Sequence, residues 1–487
     1  MKNNLKKCEF ALTIQVNNGG SIVQIESTGT NTGTDYNVDR TTTNLLSEHQ
    51  YTYWSSPLTS STLNEVTTNA DYYYSFTAST QAWASASNAA SMTPGIGYIS
   101  NGPTNGSFPG TYTANFSGSA FNNGAISVIL GYNADADTDN DWNLIGNPYP
   151  SAIKAATFLA DNSANLGGTI YFWTHNTDAS YTVNYSQNDY AMWNAMGGTA
   201  AVTGGMVPTG DIASGQGFFA QATAAGSATF TNSMRIVGNN TNFYRQSSTA
   251  KTTVSSTKKK KKNKKRNRVW LNLTNANSFS QTLIGFAKDA TNGIDNKYDG
   301  KRLTGSASTN FYSLINSEPY GIQGLPKLKK KKRIPLGYTT SNTGDFTISI
   351  ANLEGKKLKK FKVILIDKLL KKRHNLKKSD YIFTNALAGI YDHRFILVIK
   401  KKKRRKKNHH NHHKVIAYSN DKMIIIKSDE EIKKVTMYDI YGNLLYKSIK
   451  KGKEIKINTP KSKKLVLLIA KIELSSGEIV SKKILIK

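Results

Sequence analysis

The sequence predicts an all-β chain of several domains. It contains 25 tyrosines and 37 glycines among many Asn, Ser and Thr residues, a composition that favours strands and turns. Convincing helical periods are few, whereas short apolar runs between turn residues are common. With 487 residues, 38% of them hydrophobic and 20% charged, the chain is long enough for two to four domains with their own cores. We therefore expect antiparallel β-sandwiches.

The stretch WNLIGNPYPSAI, residues 142–153, predicts a rigid corner between two strands. Each proline fixes its own φ and pushes the preceding residue towards extended backbone, and Gly146 and Asn147 tolerate positive φ. We expect the large apolar side chains of the stretch to anchor this corner in a core. The positions that define the corner are Trp142, Gly146, Asn147, Pro148, Tyr149 and Pro150.

The amino-terminal half divides into two segments. Residues 1–40 contain short alternating runs around NNGG at 17–20, which is typical of a hairpin or a coil corner, or of the last rung of a truncated repeat region. Residues 41–245 form a β-rich domain that carries the corner, and two packed sheets would bury its strands best. Its candidate strands lie at 51–54, 72–76, 97–99, 125–131, 169–173 and 217–222.

The carboxy-terminal half contains two further β domains and two basic linkers. Residues 246–268 change from Ser and Thr to a block of like charge, which repels itself and is typical of a linker. Strand-length runs between turn residues predict a β-sandwich over 269–399. Residues 400–414 form a Lys- and His-rich linker. Residues 415–487 form a small β-sandwich, in which apolar residues alternate along the strand from Val466 to Leu474.

The charge is divided unevenly along the chain. The formal net charge is +32, yet residues 1–250 hold 7 lysines and arginines against 15 carboxylate side chains, which gives −8 and leaves +40 for the rest. Basic clusters at 258–268, 329–333 and 400–407 would attract polyanions in a salt-dependent way. No run of about 18 apolar residues exists, so the sequence predicts no transmembrane helix.

Four aspartates alternate just before the corner: Asp135, Asp137, Asp139 and Asp141. Alternating carboxylates can surround a hard cation, and the first three match the opening of a calcium loop. The glycine at the sixth position and the glutamate at the twelfth position of such a loop are missing. Both a calcium site and a solvated acidic loop are therefore compatible with this segment.

No catalytic motif is found, so we expect a protein without enzymatic activity. The sequence has no GxSxG elbow, HExxH pair, P-loop or CxxC pair. Cys8 is the single cysteine, which excludes an intrachain disulfide. Nothing orients the histidines of the second linker for a specific metal site; they are His409, His410, His412 and His413. We expect no cofactor other than calcium.

The corner stretch resembles a signature of large surface and secreted proteins of the Bacteroidetes that are exported by type IX secretion. Four further strings look like the same module in the same order: YTYWSSPL at 51–58, MTPGIGYI at 92–99, YFWTHN at 171–176 and IASGQGFFAQA at 212–222. Residues 269–399 resemble, in order, the domain that follows this module in flavobacterial secreted proteins. The loops of residues 269–399 are rich in lysine, whereas the loops of that family tend to be acidic or polar.

The last segment resembles the C-terminal sorting domain of type IX cargo, of the subtype called type C. The similar strings are VTMYDIYGNLLYK at 435–447, SSGEIV at 475–480 and the terminal SKKILIK. The positions that carry this resemblance are Val435, Tyr438, Asp439, Gly442, Gly477, Lys482 and Lys483.

Two functions are compatible with these observations. The resemblance implies an adhesin-like protein at the cell surface, at the outer membrane, or in the medium, with the type IX machinery and an extracellular glycan or other surface ligand as partners. The start of the chain lacks the apolar segment of a signal peptide, so we expect it to be truncated. The alternative is a basic protein that binds nucleic acid or acidic glycans through its lysine-rich linkers, although those linkers lack aromatic residues for base stacking.

Overall fold

The structure, a computed structural model, describes residues 13–29, 33, 35–135, 137, 140–176, 185–240, 266–303, 305, 308–329, 331–401, 414–420, 423–449, 451–459 and 466–486. Nearly every regular element in these ranges is a strand, which confirms the all-β prediction. Contacts divide the chain into two compact units, residues 1–402 and 403–487. No helix in the described ranges has both the length and the apolar character needed to cross a membrane.

The first part of the 1–402 unit covers residues 13–240. Its strands are β1 (Thr13–Val16), β2 (Asp35–Thr41), β3 (Thr52–Trp54), β4 (Leu58–Thr59), β5 (Tyr73–Thr77), β6 (Ala82–Ser85), β7 (Tyr98–Ser100), β8 (Thr113–Gly118), β9 (Ala120–Phe121), β10 (Ile126–Leu130), β11 (Trp142–Gly146), β12 (Ala152–Lys154), β13 (Leu166–Trp173), β14 (Tyr190–Asn194), β15 (Gly197–Thr199), β16 (Asp211–Ile212), β17 (Gly217–Ala222), β18 (Gly226–Phe230) and β19 (Arg235–Ile236). The helices are α1 (Leu63–Val66) and α2 (Ala155–Asp161), with 3-10 turns at Gln187–Asp189 and Asn232–Met234.

Two sheets of this part matter most for the site. One has the strand order β3-β7-β5-β6, and the other has the order β11-β17-β13-β14-β15. Backbone hydrogen bonds join them, since the Gly97 amide donates to the Leu144 carbonyl at 3.0 Å and the Gly146 amide to the Gly95 carbonyl at 2.9 Å. The six predicted strands of this region are confirmed as elements: four have bounds shifted by one residue, β17 is unchanged, and β13 begins three residues earlier.

Of the alternatives that the sequence leaves open for the amino-terminal segment, only the hairpin is contradicted. A turn does form at residues 17–20, where the Gly20 amide donates to the Asn17 carbonyl at 2.8 Å. However, β1 pairs in parallel with β2 and not with the residues that follow the turn. The chain after the turn runs on without a regular strand, because its backbone bonds elsewhere: the Ile22 amide donates to the Pro150 carbonyl at 2.9 Å.

The second part of this unit covers residues 266–401. Its elements are β20 (Asn267–Thr274), β21 (Phe279–Ala287), β22 (Gly300–Lys301), β23 (Thr309–Ile315), β24 (Glu318–Pro326), β25 (Lys331–Thr340), β26 (Gly344–Glu354), α3 (Lys356–Lys359), β27 (Phe361–Asp367), β28 (Lys372–Asn375), β29 (Tyr381–Asn385), β30 (Gly389–Ile390) and β31 (Phe395–Lys401). All of its strands belong to one sheet of order β28-β27-β31-β25-β23-β24-β21-β20-β26-β29, with β22 and β30 beside it. The sheet curls round a single apolar core, and β21 and β24 pair in parallel.

The two parts share a core within the 1–402 unit. Aromatic and aliphatic side chains of β13, β14, β20, β21 and β24 pack in one cluster. The Trp270 indole N–H donates to the Gly198 carbonyl at 2.8 Å, and the Tyr171 hydroxyl donates to the Lys301 carbonyl at 3.1 Å. Residues 41–245 and 269–399, which the sequence separates into two domains, thus pack as one body. Asn267 and Arg268 belong to β20, whereas the linker residues 246–265 lie outside the described ranges.

The 403–487 unit is a small β-sandwich. Its strands are β32 (Ile416–Ser419), β33 (Met423–Tyr438), β34 (Leu444–Ser448), β35 (Gly452–Asn458), β36 (Val466–Leu474) and β37 (Ile479–Ile486). The first half of β33 pairs with β32 and β35, and its second half pairs with β34 and β36 after a register shift between Lys427 and Ile432. One long strand therefore contributes to both layers, and the buried residues of the two layers form one core.

Candidate ligand-binding cleft

The clearest site candidate in the described part of the chain is a cleft of about 610 Å³ in the 1–402 unit. Its walls come chiefly from the sheets that contain β3 and β11. Ten of its fifteen lining residues are aromatic, and they are Tyr51, Tyr53, Tyr74, Phe76, Trp83, Trp142, Trp173, Tyr185, Tyr190 and Phe219. The other five are Gln81, Ile99, Ser186, Gln187 and Leu303. We call this site the aromatic cleft.

The alternation of strand side chains places the rings in the cleft. Successive side chains of a strand point to opposite faces, so Tyr74 and Phe76 of β5 reach the same side of their sheet. In β11, Trp142 lines the cleft, and the four residues that follow it in the strand are buried. The edge strand β6 supplies Trp83, whose side chain is 41% exposed. Eight of the ten rings thus lie on regular strands, which hold them in fixed positions, whereas Tyr51 and Tyr185 lie outside them.

The rings support one another through edge and stacked contacts. Tyr53 stacks on Trp173 with centroids 5.7 Å apart and an interplanar angle of 11°. Phe219 lies at the centre, with edge contacts to Phe76 at 4.9 Å and to Trp83 at 5.9 Å. Such pairs each add roughly 0.5–1.5 kcal/mol beyond the burial of their area. The walls are therefore ordered before any ligand arrives.

Polar groups fix some of these rings. The Gln81 side chain binds both backbone polar groups of Trp142: its oxygen accepts from the Trp142 amide at 3.0 Å, and its nitrogen donates to the Trp142 carbonyl at 3.1 Å. The hydroxyls of Tyr53 and Tyr190 lie 2.7 Å apart in a hydrogen bond. These contacts hold one indole and two phenols of the cleft in place.

The described lining of the aromatic cleft is uncharged. None of the fifteen described residues that form it carries a formal charge. Burial, followed by the neighbouring phenol of Tyr190, raises the pKa of Tyr53 well above its usual value, and burial raises the pKa of Tyr190 as well. These phenols therefore stay protonated and serve as neutral hydrogen-bond donors and acceptors.

One donor at the cleft has no partner among the described residues. The Trp173 indole N–H is buried from solvent and makes no hydrogen bond there. A buried unpaired donor costs about 1–3 kcal/mol, and such groups are uncommon in folded proteins. This N–H is shielded from solvent, so it adds a cost to the wall of the cleft and is not an accessible donor for a ligand.

The predicted corner lies directly behind this cleft. Trp142 faces the cleft, and Asn147 is fully buried, with its side-chain nitrogen bonded to the carbonyls of Ser151, Ile212 and Ala213 at 2.8–3.2 Å. Tyr149 is buried and donates to the Gly124 carbonyl at 2.5 Å. The residues expected to anchor the corner are therefore in the core or at the cleft.

The corner does not use the positive φ that Gly and Asn residues tolerate. Neither Gly146 nor Asn147 adopts a positive φ. Glycine is needed at position 146 for space, because a Cβ there would lie 2.4 Å from the Cβ of Ser55 and 2.9 Å from the carbonyl oxygen of Gln216. The close approach of β11 to these neighbours explains this glycine.

The predicted calcium loop is described only in part, since Asp139 lies outside the described residues. The Asp135 carboxylate accepts from the Asp137 amide at 2.9 Å and from the Asn140 side chain, and the Asp141 carboxylate accepts from the Asn133 amide at 2.6 Å. These bonds close the loop by themselves. Among the described residues no group of three or more His, Cys, Asp and Glu side chains could hold a metal ion, and calcium binding stays a prediction. Cys8 and the four linker histidines lie outside the described residues.

The positions that resemble a sorting motif lie in turns and strands of the 403–487 unit. The Asp439 carboxylate closes the first turn by accepting from the amides of Tyr441 and Asn443 at 2.9 and 2.8 Å. The Asn443 side chain, with these amides, holds the pKa of Asp439 below its usual value. Gly442 in this turn and Gly477 in the turn between β36 and β37 supply left-handed backbone, with φ of 89° and 82°. Val435 is fully buried, Tyr438 ends β33, and Lys482 and Lys483 lie opposite Ala470 and Ile469.

Sequence reasoning did not identify the aromatic cleft as a site. Five of the strands that form it were among the candidate strands: β3, β5, β7, β13 and β17. The strands β6 and β14, which carry Trp83 and Tyr190, were not. However, the pairing of distant strands decides which rings meet, and a single sequence does not contain it. The available signal was the recurrence of aromatic residues at alternate positions of successive predicted strands, as in β5.

The fold and the cleft together define a class: an all-β, multi-domain protein with an uncharged aromatic cleft in its larger unit. The chain belongs to the family described as Domain of unknown function (DUF8693), whose model matches residues 6–399. A second family model, Domain of unknown function (DUF8694), matches residues 404–486. The two matches meet where contacts divide the chain into its two units. A search of curated proteins finds no match to the chain.

Proposed function

We propose that this chain is a non-enzymatic, adhesin-like protein, secreted or held at the cell surface, that binds a neutral carbohydrate in the aromatic cleft. The observation that supports this proposal is a cleft of about 610 Å³ with mostly aromatic walls and no charged side chain among its described lining residues. A sugar ring has an apolar C–H face and a polar hydroxyl edge. Its C–H bonds pack on the electron-rich face of an aromatic ring, and its hydroxyls bond to neutral donors and acceptors.

The polar groups of the cleft favour a carbohydrate over other small ligands. A charged ligand would lose its hydration without meeting an opposite charge. A purely apolar ligand would offer no hydrogen-bond partner to the polar residues of the lining, which include Gln187. A sugar supplies both an apolar face and hydroxyl oxygens, and a volume of this size lies within the range of small-molecule sites.

Trp83→Ala tests the cleft as a carbohydrate site. Trp83 lies at the mouth of the cleft and is 41% exposed, so its removal should leave the fold intact while it removes a stacking surface. We expect the dissociation constant for a bound neutral oligosaccharide to rise about thirtyfold, since a Trp anchor typically contributes about 2 kcal/mol. The full chain would first be screened on an array of neutral and acidic glycans, and binding of the best neutral oligosaccharide would then be measured by calorimetry.

The matched control is Ile129→Ala, which removes an 86% exposed apolar side chain of β10 that does not line the cleft. It should leave the affinity unchanged. Equal affinity of the Trp83→Ala variant and the unmodified chain would contradict the proposal, as would a screen in which no neutral glycan binds.

We propose further that the 403–487 unit directs export by the type IX apparatus. The support is the resemblance of its strings to a sorting domain, together with a compact fold of its own that holds both motif turns on one sandwich. A unit that is compact by itself can be presented to an export machine apart from the rest of the chain.

A reporter fusion tests the export proposal. Residues 403–487 would be placed behind a signal peptide and a fluorescent protein in a bacterium with an active type IX system. We expect the fluorescence on the cell surface or in the medium, and we expect it to be lost in a secretion-defective strain. Retention in the periplasm of both strains would reject the export proposal and would leave the carbohydrate proposal untouched.

A further inference from the structure

Lysines from three separate segments meet in one row on the curled sheet of the 1–402 unit. Lys331 of β25 lies directly opposite Lys400 of β31, and Lys400 lies directly opposite Lys362 of β27. Residues that are opposite each other in antiparallel strands point to the same face, and adjacent strands are about 4.8 Å apart. The three lysine side chains therefore leave one face of the sheet from three adjacent strands. We call these three residues the lysine ladder.

A fourth cation extends the row. Arg333 follows Lys331 by two positions in β25, so its side chain leaves the same face. Lys331, Arg333 and Lys362 are exposed, and Lys400 is partly exposed. The cations therefore remain accessible to a ligand from solvent.

The ladder has no described counter-charge. Among the described residues, no carboxylate forms an ion pair with the three ladder lysines or with Arg333. Like charges directly opposite each other in a sheet are destabilising, and here two such pairs share Lys400. A bound anion would offset this repulsion between the lysines, which explains why the row is present although it costs stability in the free protein.

The ladder also lies where the basic segments of the sequence join the sheet. Strand β20 begins at Asn267, whose side-chain oxygen accepts from the amides of Lys357 and Leu358 at 3.1 and 3.2 Å. Strand β31 ends at Lys401, opposite Phe361, two residues after α3. Strand β20 thus begins, and strand β31 ends, beside the segment that leads into Lys362 of the ladder.

We propose that the lysine ladder binds an acidic polysaccharide, a sulfated or carboxylated glycan chain. A single flexible polymer with a charge on successive units can follow a row that crosses three strands. The ladder itself contains no aromatic ring on which a nucleic-acid base could stack. Its three cations are lysine point charges, which lack the paired donors that arginine offers to phosphate. Arg333 beside the ladder is the one arginine of the row. The proposal is independent of the aromatic cleft, whose uncharged walls suit a neutral ligand.

Two triple variants of the full chain test the ladder. The ladder variant is Lys331→Gln, Lys362→Gln and Lys400→Gln. The control is Lys368→Gln, Lys371→Gln and Lys372→Gln, which removes the same charge from exposed residues at the opposite end of β27. Binding of dextran sulfate, of unsulfated dextran and of duplex DNA with equal total charge would be measured at several salt concentrations.

We expect the unmodified chain to bind dextran sulfate at 150 mM salt and not to bind unsulfated dextran. The ladder variant should bind dextran sulfate about 10- to 100-fold more weakly and with a smaller salt dependence, because fewer counterions are released. The control variant should change the affinity less than about twofold. Urea unfolding should show the ladder variant to be at least as stable as the unmodified chain, because a repulsion has been removed.

An equal loss of affinity in both variants would overturn the proposal, because net charge and not the ladder would then control binding. Tighter binding of duplex DNA than of dextran sulfate would also overturn it, in favour of a nucleic-acid partner. Binding of a neutral oligosaccharide by the aromatic cleft should be the same in all three proteins, which separates this test from that of the cleft.

Discussion

Replacing Asp367 by alanine is expected to lower the free energy of unfolding of the 1–402 unit by about 3–5 kcal/mol, because it leaves a buried guanidinium without its counter-charge. Asp367 and Arg394 form an ion pair in which the closest atoms, Nη2 and Oδ2, lie 3.1 Å apart. Their side chains are only 1% and 4% exposed. Water cannot replace the missing carboxylate at this depth.

The neighbours of the pair explain why the loss is large. The Tyr381 hydroxyl donates to the Asp367 carboxylate at 3.0 Å, and Arg394 donates to the Tyr338 hydroxyl at 3.1 Å. The guanidinium also lies over the ring of Phe383, with 4.3 Å from its carbon to the ring centroid. Removal of one carboxylate therefore disturbs a connected network in the core of the curled sheet.

Urea unfolding followed by tryptophan fluorescence measures this effect in the full chain, because all six tryptophans belong to the 1–402 unit. The matched control is Lys154→Ala, which breaks an ion pair with Asp211 in which the lysine is 50% exposed. That surface pair should contribute less than about 1 kcal/mol. A loss in Asp367→Ala no larger than that in the control would contradict the assigned role of the buried pair.

The double variant Asp367→Leu with Arg394→Met refines the interpretation. Apolar replacement of a whole buried ion pair is often tolerated, whereas removal of one partner is not. We therefore expect the double variant to be more stable than Asp367→Ala. The difference would show that the isolated guanidinium, and not the lost contact, causes most of the destabilisation.

Local patterns in the sequence were sufficient to predict most strands. Alternation identified β36, and strand-length runs between turn residues identified the β-rich domain at 269–399. The corner at residues 142–153 was predicted because prolines restrict the backbone in a known way. These features depend on neighbours in the sequence, so a single chain contains the information for them.

Pairing between distant strands could not be predicted in this way. β1 pairs in parallel with β2, and the ring contact of Tyr53 with Trp173 joins strands that are far apart in sequence. The lysine ladder has the same origin, because its register depends on which strands become neighbours. The charge runs were visible in the sequence, but their position in one row was not. Both candidate binding surfaces are therefore products of the fold.

Gly146→Ala is expected to destabilise the 1–402 unit by about 3 kcal/mol, at the upper end of the usual effect of overpacking. The added Cβ would lie 2.4 Å from the Cβ of Ser55, 2.9 Å from the Gln216 carbonyl and 3.0 Å from the Cα of Gly217. Two of these three atoms belong to the backbone, so no flexible side chain can move aside. The strand β11 must shift instead. Because Trp142 belongs to β11 and lines the aromatic cleft, its ring would be displaced as well. The variant should therefore lose carbohydrate affinity as well as stability.

The control for this variant is Gly167→Ala, in β13 of the same sheet. A Cβ there would lie 3.4 Å from the Gln221 carbonyl, an ordinary contact, so the free energy of unfolding should change by less than about 1 kcal/mol. Both variants would be compared by urea unfolding with tryptophan fluorescence. If Gly146→Ala proved as stable as Gly167→Ala, the close approach of β11 to Ser55 and Gln216 would not constrain the corner. A displaced β11 would also displace the ring of Trp142. If Gly146→Ala lost stability but kept full carbohydrate affinity, the position of Trp142 would therefore not contribute to binding.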